Sequence, residues 1–113
     1  MPHPTTRDEI PPGTLDMLIL KTLSWRGELH GFEIAEAIQQ MSEDVLRVDE
    51  GSLYPALQRM LLKGWLSGEW GKTIENRRAR YYHLTPAGRK HLDQELERYS
   101  RVSAAIHRIL QSA

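Results

Sequence analysis

Between Asp49 and Arg89 the chain is punctuated so tightly that few arrangements of elements remain open to it. Leu53, Leu57, Met60 and Leu61 recur at steps of four and three, and Gly64 stands where a helix closes on a left-handed residue, with Trp65 as the apolar contact after it. Leu66 to Trp70 and Arg78 to Leu84 then read as strands joined by the polar stretch from Gly71 to Arg77. Thr85-Pro86 is a helix start, a hydroxyl cap followed by a proline at the first helical position. The succession predicts a short amphipathic helix beside a basic β-hairpin. Such a pair can hold one helix in a DNA groove while the hairpin grips phosphates.

Proline fixes where the short helix can begin. It is comfortable only in a first turn, where its missing N–H is not needed. With Ser52 as N-cap, Pro55 falls within that turn and the helix runs to Lys63. A start at Asp49 instead sets the Pro55 ring against the Gly51 carbonyl and distorts the turn.

Upstream, Pro11-Pro12-Gly13 precedes Thr14, a candidate N-cap for a first helix to about Leu23, with Asp16 suited to its positive end. Leu15, Leu18, Ile19 and Leu23 follow helical spacing, while Met17 and Leu20 add apolar surface on other faces. A helix apolar nearly all round needs cover on more than one side. Gly27 breaks the chain and Gly31 precedes a second helix, after which Val45 to Val48 is readable as extended. Downstream of Gly88 no breaker interrupts the chain, so one helix of about 25 residues, roughly 39 Å long, reaches the C-terminus. Leu92, Leu96, Tyr99, Val102, Ile106 and Ile109 form a narrow seam along it, of the kind that pairs helices. The expected class is mainly α with a small β-hairpin.

A net charge of zero looks wrong for a nucleic-acid binder until its distribution is followed. Residues 1–51 hold four Lys/Arg against ten Asp/Glu. Residues 72–91 hold Lys72, Arg77, Arg78, Arg80, Arg89 and Lys90 against Glu75 alone. A local patch is what steers an anionic partner, so the neutral total does not exclude DNA. The chain has no cysteine, which excludes disulfides and thiolate metal sites and suits a reducing cytoplasm. Its longest apolar run, Met17 to Leu20, cannot span a bilayer, so no membrane partner is expected. Met1 to Thr6 is a polar lead-in.

On the short helix, Ser52, Pro55, Gln58 and Arg59 are left on the outer side. Gln and Arg can form bidentate bonds with adenine and guanine edges in a major groove. An ordinary solvated face would look much the same. The hairpin separates the two, because an edge kept soluble by charge would carry mixed signs. Lys72, Asn76, Arg77 and Arg78 instead cluster as donors that can reach phosphates. Alternation sets Arg78, Arg80, Tyr82 and Leu84 on one face. Tyr54, Tyr82, Trp65 and Trp70 read as core or rim packing before base-stacking platforms. The histidines show no metal-site spacing, and neither a phosphate loop nor a catalytic set stands out, so no metal, cofactor or enzymatic activity is expected.

Pro12-Gly13-Thr14-Leu15-Asp16-Met17-Leu18-Ile19-Leu20, His30-Gly31-Phe32-Glu33-Ile34, Glu50-Gly51-Ser52-Leu53-Tyr54-Pro55-Ala56-Leu57 and Arg78-Ala79-Arg80-Tyr81-Tyr82-His83-Leu84-Thr85-Pro86-Ala87-Gly88 resemble, in order and spacing, the PadR family of bacterial transcriptional regulators. The resemblance covers residues 12 to about 90 and is closest to short members with a single C-terminal helix. It implies a winged helix-turn-helix, a homodimer joined through the last helix, and usually repression at a palindromic operator. The family's major-groove role falls on Ser52, Tyr54, Pro55 and Gln58, and its wing on Arg77, Arg78 and Arg80. Some short members bind flat aromatic drugs at the dimer interface against a tryptophan of the last helix; here that helix offers only Tyr99.

These readings divide the chain into a lead-in (1–10), a winged helix-turn-helix DNA-binding domain (11–85) and a dimerisation helix (86–113). The expected partners are double-stranded DNA and a second copy of the chain, paired through Leu15, Leu18, Ile19 and the seam from Leu92 to Ile109. Arg59 and Lys72 join the DNA-contacting set. One alternative is a winged helix that docks on another protein. Another is a sensor of an aromatic effector, held between subunits by Leu15, Leu18, Leu96 and Tyr99.

Overall fold

The computed structural model describes residues 8–112, so the polar lead-in from Met1 to Thr6 lies outside the described residues. Strand β1 (Asp8–Glu9) pairs in parallel with β3 (Leu46–Arg47), and the Asp8 N–H donates to the Val45 carbonyl at 2.9 Å. Ile10 packs against the core. Residues 8–10 therefore do not belong to a lead-in. Their partner lies far along the chain, and two-residue strands leave no periodic trace.

Helix α1 (Leu15–Arg26) runs almost a turn past Leu23 and closes at Gly27, whose φ of 82° is left-handed and whose N–H donates to the Leu23 carbonyl. Thr14 precedes it, but its hydroxyl donates to the Pro11 carbonyl and does not cap the helix. Met17, Ile19, Leu20, Thr22 and Leu23 are all buried. Cover for several faces of α1 comes from α2 (Gly31–Met41), α3 (Glu50–Leu62), β5 (Arg78–Leu84) and α4 (Pro86–Leu110). Ile19 is wholly enclosed in this protomer's own core, as is Leu92 of α4, so neither is left for a second subunit.

Helix α3 begins at Glu50 with Asp49 as N-cap, three residues before the cap expected at Ser52. Both Ser52 and Leu53 donate to the Asp49 carbonyl, at 3.0 and 2.9 Å. Pro55 is thus inside the helix, and the Gly51 carbonyl loses its usual donor four residues on. Gly51 is exposed, so solvent can satisfy that carbonyl. The buried stripe is Leu53, Ala56, Leu57 and Met60; Ala56 is buried where Leu61 is only partly so. Gly64, at φ 76°, closes the helix: its N–H donates to Leu61 and that of Trp65 to Met60, both to carbonyl oxygens.

Strands β4 (Leu66–Lys72) and β5 pair antiparallel from Leu66 opposite Leu84 to Lys72 opposite Arg78. β4 is two residues longer than its hydrophobic pattern suggests, because backbone pairing continues past Trp70. β2 (Leu29–His30) adds to the other edge of β5, giving the order β2-β5-β4.

Thr85 joins hairpin to α4 from both sides: its Oγ1 accepts from the Gly88 N–H at 3.0 Å and donates to the Gly64 carbonyl at 2.6 Å. Gly88 is buried so closely against this junction that a Cβ there would collide with the Trp65 carbonyl. Past Leu96 the helix leaves the domain, and Tyr99, Val102, Ile106 and Ile109 stand exposed. Among the described residues no helix is long and apolar enough to cross a membrane, and no group of three or more His, Asp or Glu could hold a metal ion.

Candidate nucleic-acid interface

The candidate surface has two parts, each built by a different force. The first is α3, fixed by its buried stripe, which leaves Ser52, Tyr54, Pro55, Gln58 and Arg59 exposed. Tyr54 is half-exposed and its ring lies over the start of α2; a Cβ at Gly31 would stand only 2.8 Å from Tyr54 Cε1. Gly31 is therefore part of the site, since its bare Cα lets the ring lie there. Glu33 fixes the same turn by accepting from the His30 N–H at 3.1 Å. Sequence spacing carried no hint of this meeting between the His30-Gly31 and Tyr54-Pro55 segments.

Arg59 is engaged otherwise. Its guanidinium forms an ion pair with Asp16 of α1, a close contact that ties the two helices. Asp16 thus neutralises the one cation of the expected base-reading set. Among the described residues Gln58 makes no side-chain hydrogen bond, so its amide is open on that face, as is the Ser52 hydroxyl.

The second structure is the hairpin. Strand register puts Leu66, Gly68, Trp70 and Lys72 on one face with Leu84, Tyr82, Arg80 and Arg78 opposite them. At its base this face is core, for Leu66 and Tyr82 are buried. Towards its tip it turns aromatic and cationic. Burial raises the Tyr82 hydroxyl above the ordinary tyrosine pKa of 10.0; Arg80 opposes the shift and Tyr54 adds to it.

Trp70 is 59% exposed, which the rim-packing expectation did not anticipate. The Arg78 guanidinium lies 4.3 Å from its ring centroid and that of Arg80 lies 5.9 Å away. Lys72, Arg77 and Arg78 are exposed, and among the described residues no carboxylate forms an ion pair with them or with Arg80. The tip is a closed turn, with Thr73 N–H donating to the Arg77 carbonyl at 2.8 Å and Asn76 in the left-handed region. Ile74 projects fully into solvent there.

The opposite face of the hairpin is of another character. Ser67 hydrogen-bonds His83 across the strands, and Glu28 approaches the same imidazole at 3.7 Å. No Lys or Arg stands along this face, which Ser67, Glu69 and Gly71 share with Ala79, Tyr81 and His83.

Of the residues expected at a subunit interface, Leu15, Leu18 and Leu96 are partly buried and pack on the core. Tyr99, Val102, Ile106 and Ile109 remain exposed. The four residues expected around an aromatic effector are thus three packed side chains and one half-exposed tyrosine.

Residues 19–94 match the family described as transcriptional regulator PadR-like. Among solved structures, a transcriptional regulator from Clostridium thermocellum is 27% identical with a TM-score of 0.80, over 88% of this chain and 95% of that one. A PadR-like transcriptional regulator from Bacillus cereus is 28% identical with a TM-score of 0.74, over 89% and 95%. The transcriptional regulator Rv3488 of Mycobacterium tuberculosis is 38% identical over 68 residues, 60% of each chain.

Proposed function

We propose, for a chain that belongs to the PadR-like family of transcriptional regulators, a dimeric winged-helix repressor that binds a palindromic operator in double-stranded DNA. α3 occupies the major groove, and the β4–β5 wing lies on the phosphate backbone beside it. The observation that carries this reading is charge without counter-charge. Lys72, Arg77 and Arg78 are exposed, free of carboxylate partners among the described residues, and set on a hairpin whose first strand, β4, follows α3 directly and packs against it. A solvated edge would have paired such charges or mixed their signs.

The work is divided by chemistry. Wing cations meet phosphates, which fixes register but carries no sequence information. Gln58 offers both a donor and an acceptor to one base edge. Tyr54, held over Gly31, and Ser52 and Pro55 at the helix start line the approach to the groove. Arg59 acts chiefly through Asp16, holding α3 against α1. The dimer forms along the distal part of α4, where Tyr99, Val102 and Ile106 are about half exposed and Ile109 more so. Two-fold pairing would present two α3 helices at half-sites about ten base pairs, or a multiple, apart.

Binding of the wild type, Arg78→Ala and Gln58→Ala to a selected operator and to random duplex, over a range of salt, tests the reading. Arg78→Ala should weaken both duplexes and lower the log–log salt slope by about 0.9 per lost phosphate contact. Gln58→Ala should relax preference at one base position per half-site, by about 1–3 kcal/mol. Unchanged preference in the second together with an unchanged slope in the first would mean that α3 and wing face another protein instead.

A further inference from the structure

We propose that Trp70 is a positioning residue of the wing, an indole platform that holds Arg78 and Arg80 ordered for an anionic backbone before it arrives. The proposal deepens the DNA-binding reading and rests on it. Trp70 sits on β4 directly opposite Arg80, with Arg78 opposite the next same-face residue, Lys72. The Arg78 guanidinium lies 4.3 Å from the indole centroid, and Arg80 at 5.9 Å is at the edge of the same interaction. Packing alone does not account for a tryptophan that is more than half exposed on the rim of a small hairpin.

Two further features fit a platform. Gly68 lies on the same face, and a Cβ there would stand 2.7 Å from Arg80 Nε, so this glycine is what lets the Arg80 side chain lie along the strand. Arg80 Nε itself is buried and makes no hydrogen bond. Neither arginine is held by a carboxylate among the described residues, so stacking is what orders them. A guanidinium stacked by its face keeps its N–H edges free for phosphate oxygens. An arginine side chain otherwise loses substantial rotamer freedom on binding; ordering it beforehand moves that cost from the binding step to folding.

The prediction is a loss of affinity with no loss of charge. Trp70→Leu should weaken operator and random duplex alike, by roughly two- to thirtyfold, the range expected for one or two exposed cation–π contacts. Its log–log salt slope should match the wild type, whereas Arg78→Ala lowers that slope. Trp70→Phe should restore most of the affinity, since an aromatic face is what is required. Should the leucine variant fold poorly, as judged by its melting curve, Trp70→Val at the same strand position takes its place.

Retention on immobilised heparin reads the platform without any duplex, and Trp70→Leu should elute at lower salt than the wild type and the phenylalanine variant. If the wild type bound no duplex while this order on heparin held, the operator reading would fail and the platform would stand. Equal binding and equal elution of wild type and Trp70→Leu would overturn the platform, as would a phenylalanine variant as weak as the leucine one. A Trp70→Leu protein whose loss is confined to one sequence would also overturn it, because the indole would then be touching bases itself.

Discussion

Ile106 offers the cleanest test of whether two copies of this chain pair along α4, and the structure itself directs the choice. Leu96 is the obvious position on the sequence seam, but it packs on its own protomer's core, so a charge there would damage folding as well as pairing. Ile106 lies farther along α4 and is 51% exposed in the single chain. Full burial of an isoleucine side chain is worth about 1.5–3 kcal/mol, so covering the exposed half in a dimer contributes about 0.8–1.5 kcal/mol. A two-fold interface counts each position twice. Ile106→Ala should therefore weaken the dimer by roughly 1.5–3 kcal/mol, a factor of roughly 10 to 150 in its dissociation constant. Ile106→Glu should abolish the dimer, since a carboxylate in an apolar seam has no partner. Sedimentation equilibrium at several loading concentrations measures the constant, and helix content by circular dichroism at high concentration checks that α4 persists. The reasoning is refuted if the wild type stays monomeric throughout the micromolar range, or if Ile106→Ala dimerises as tightly as the wild type.

Other consequences follow from single contacts. Thr85→Ala removes the cap on α4 and leaves the Gly64 carbonyl without its 2.6 Å donor; chemical denaturation should show a loss of about 1–3 kcal/mol. Gly31→Ala should displace the Tyr54 ring, which is half-exposed and can move, so operator affinity should fall more than the denaturation midpoint does. A midpoint that falls in step with affinity would instead make the contact purely structural. The raised pKa of Tyr82 means that folding favours its neutral form. Its contribution is complete below the unfolded pKa of about 10 and is lost as pH rises through the higher folded value. Melting curves taken above pH 10 should fall more steeply for the wild type than for Tyr82→Phe.

Much of this fold is set by local chemistry that the sequence displays. Gly64 and Thr85-Pro86 mark helix ends because only certain residues tolerate a left-handed turn or a missing N–H, and those preferences act within a few residues. Alternation along Arg78 to Leu84 and the steps from Leu92 to Ile109 likewise expose which face of a strand or helix is apolar. The positive charge of the wing is composition, so it too is visible in the chain. Tertiary structure alone decided how these surfaces are used. Backbone pairing drew Asp8–Glu9 to β3 and Leu29–His30 to β5, and short pairings of distant segments have no period to read. Packing enclosed Ile19 and Leu92 within one protomer and left Ile106 half exposed, although all three look alike as apolar positions on helices. Proximity bound Arg59 to Asp16, brought Tyr54 over Gly31 and set Arg78 on Trp70. The first and second join residues more than twenty positions apart, and the third depends on strand register. Which donors stay free for a partner is therefore decided by what each meets in space.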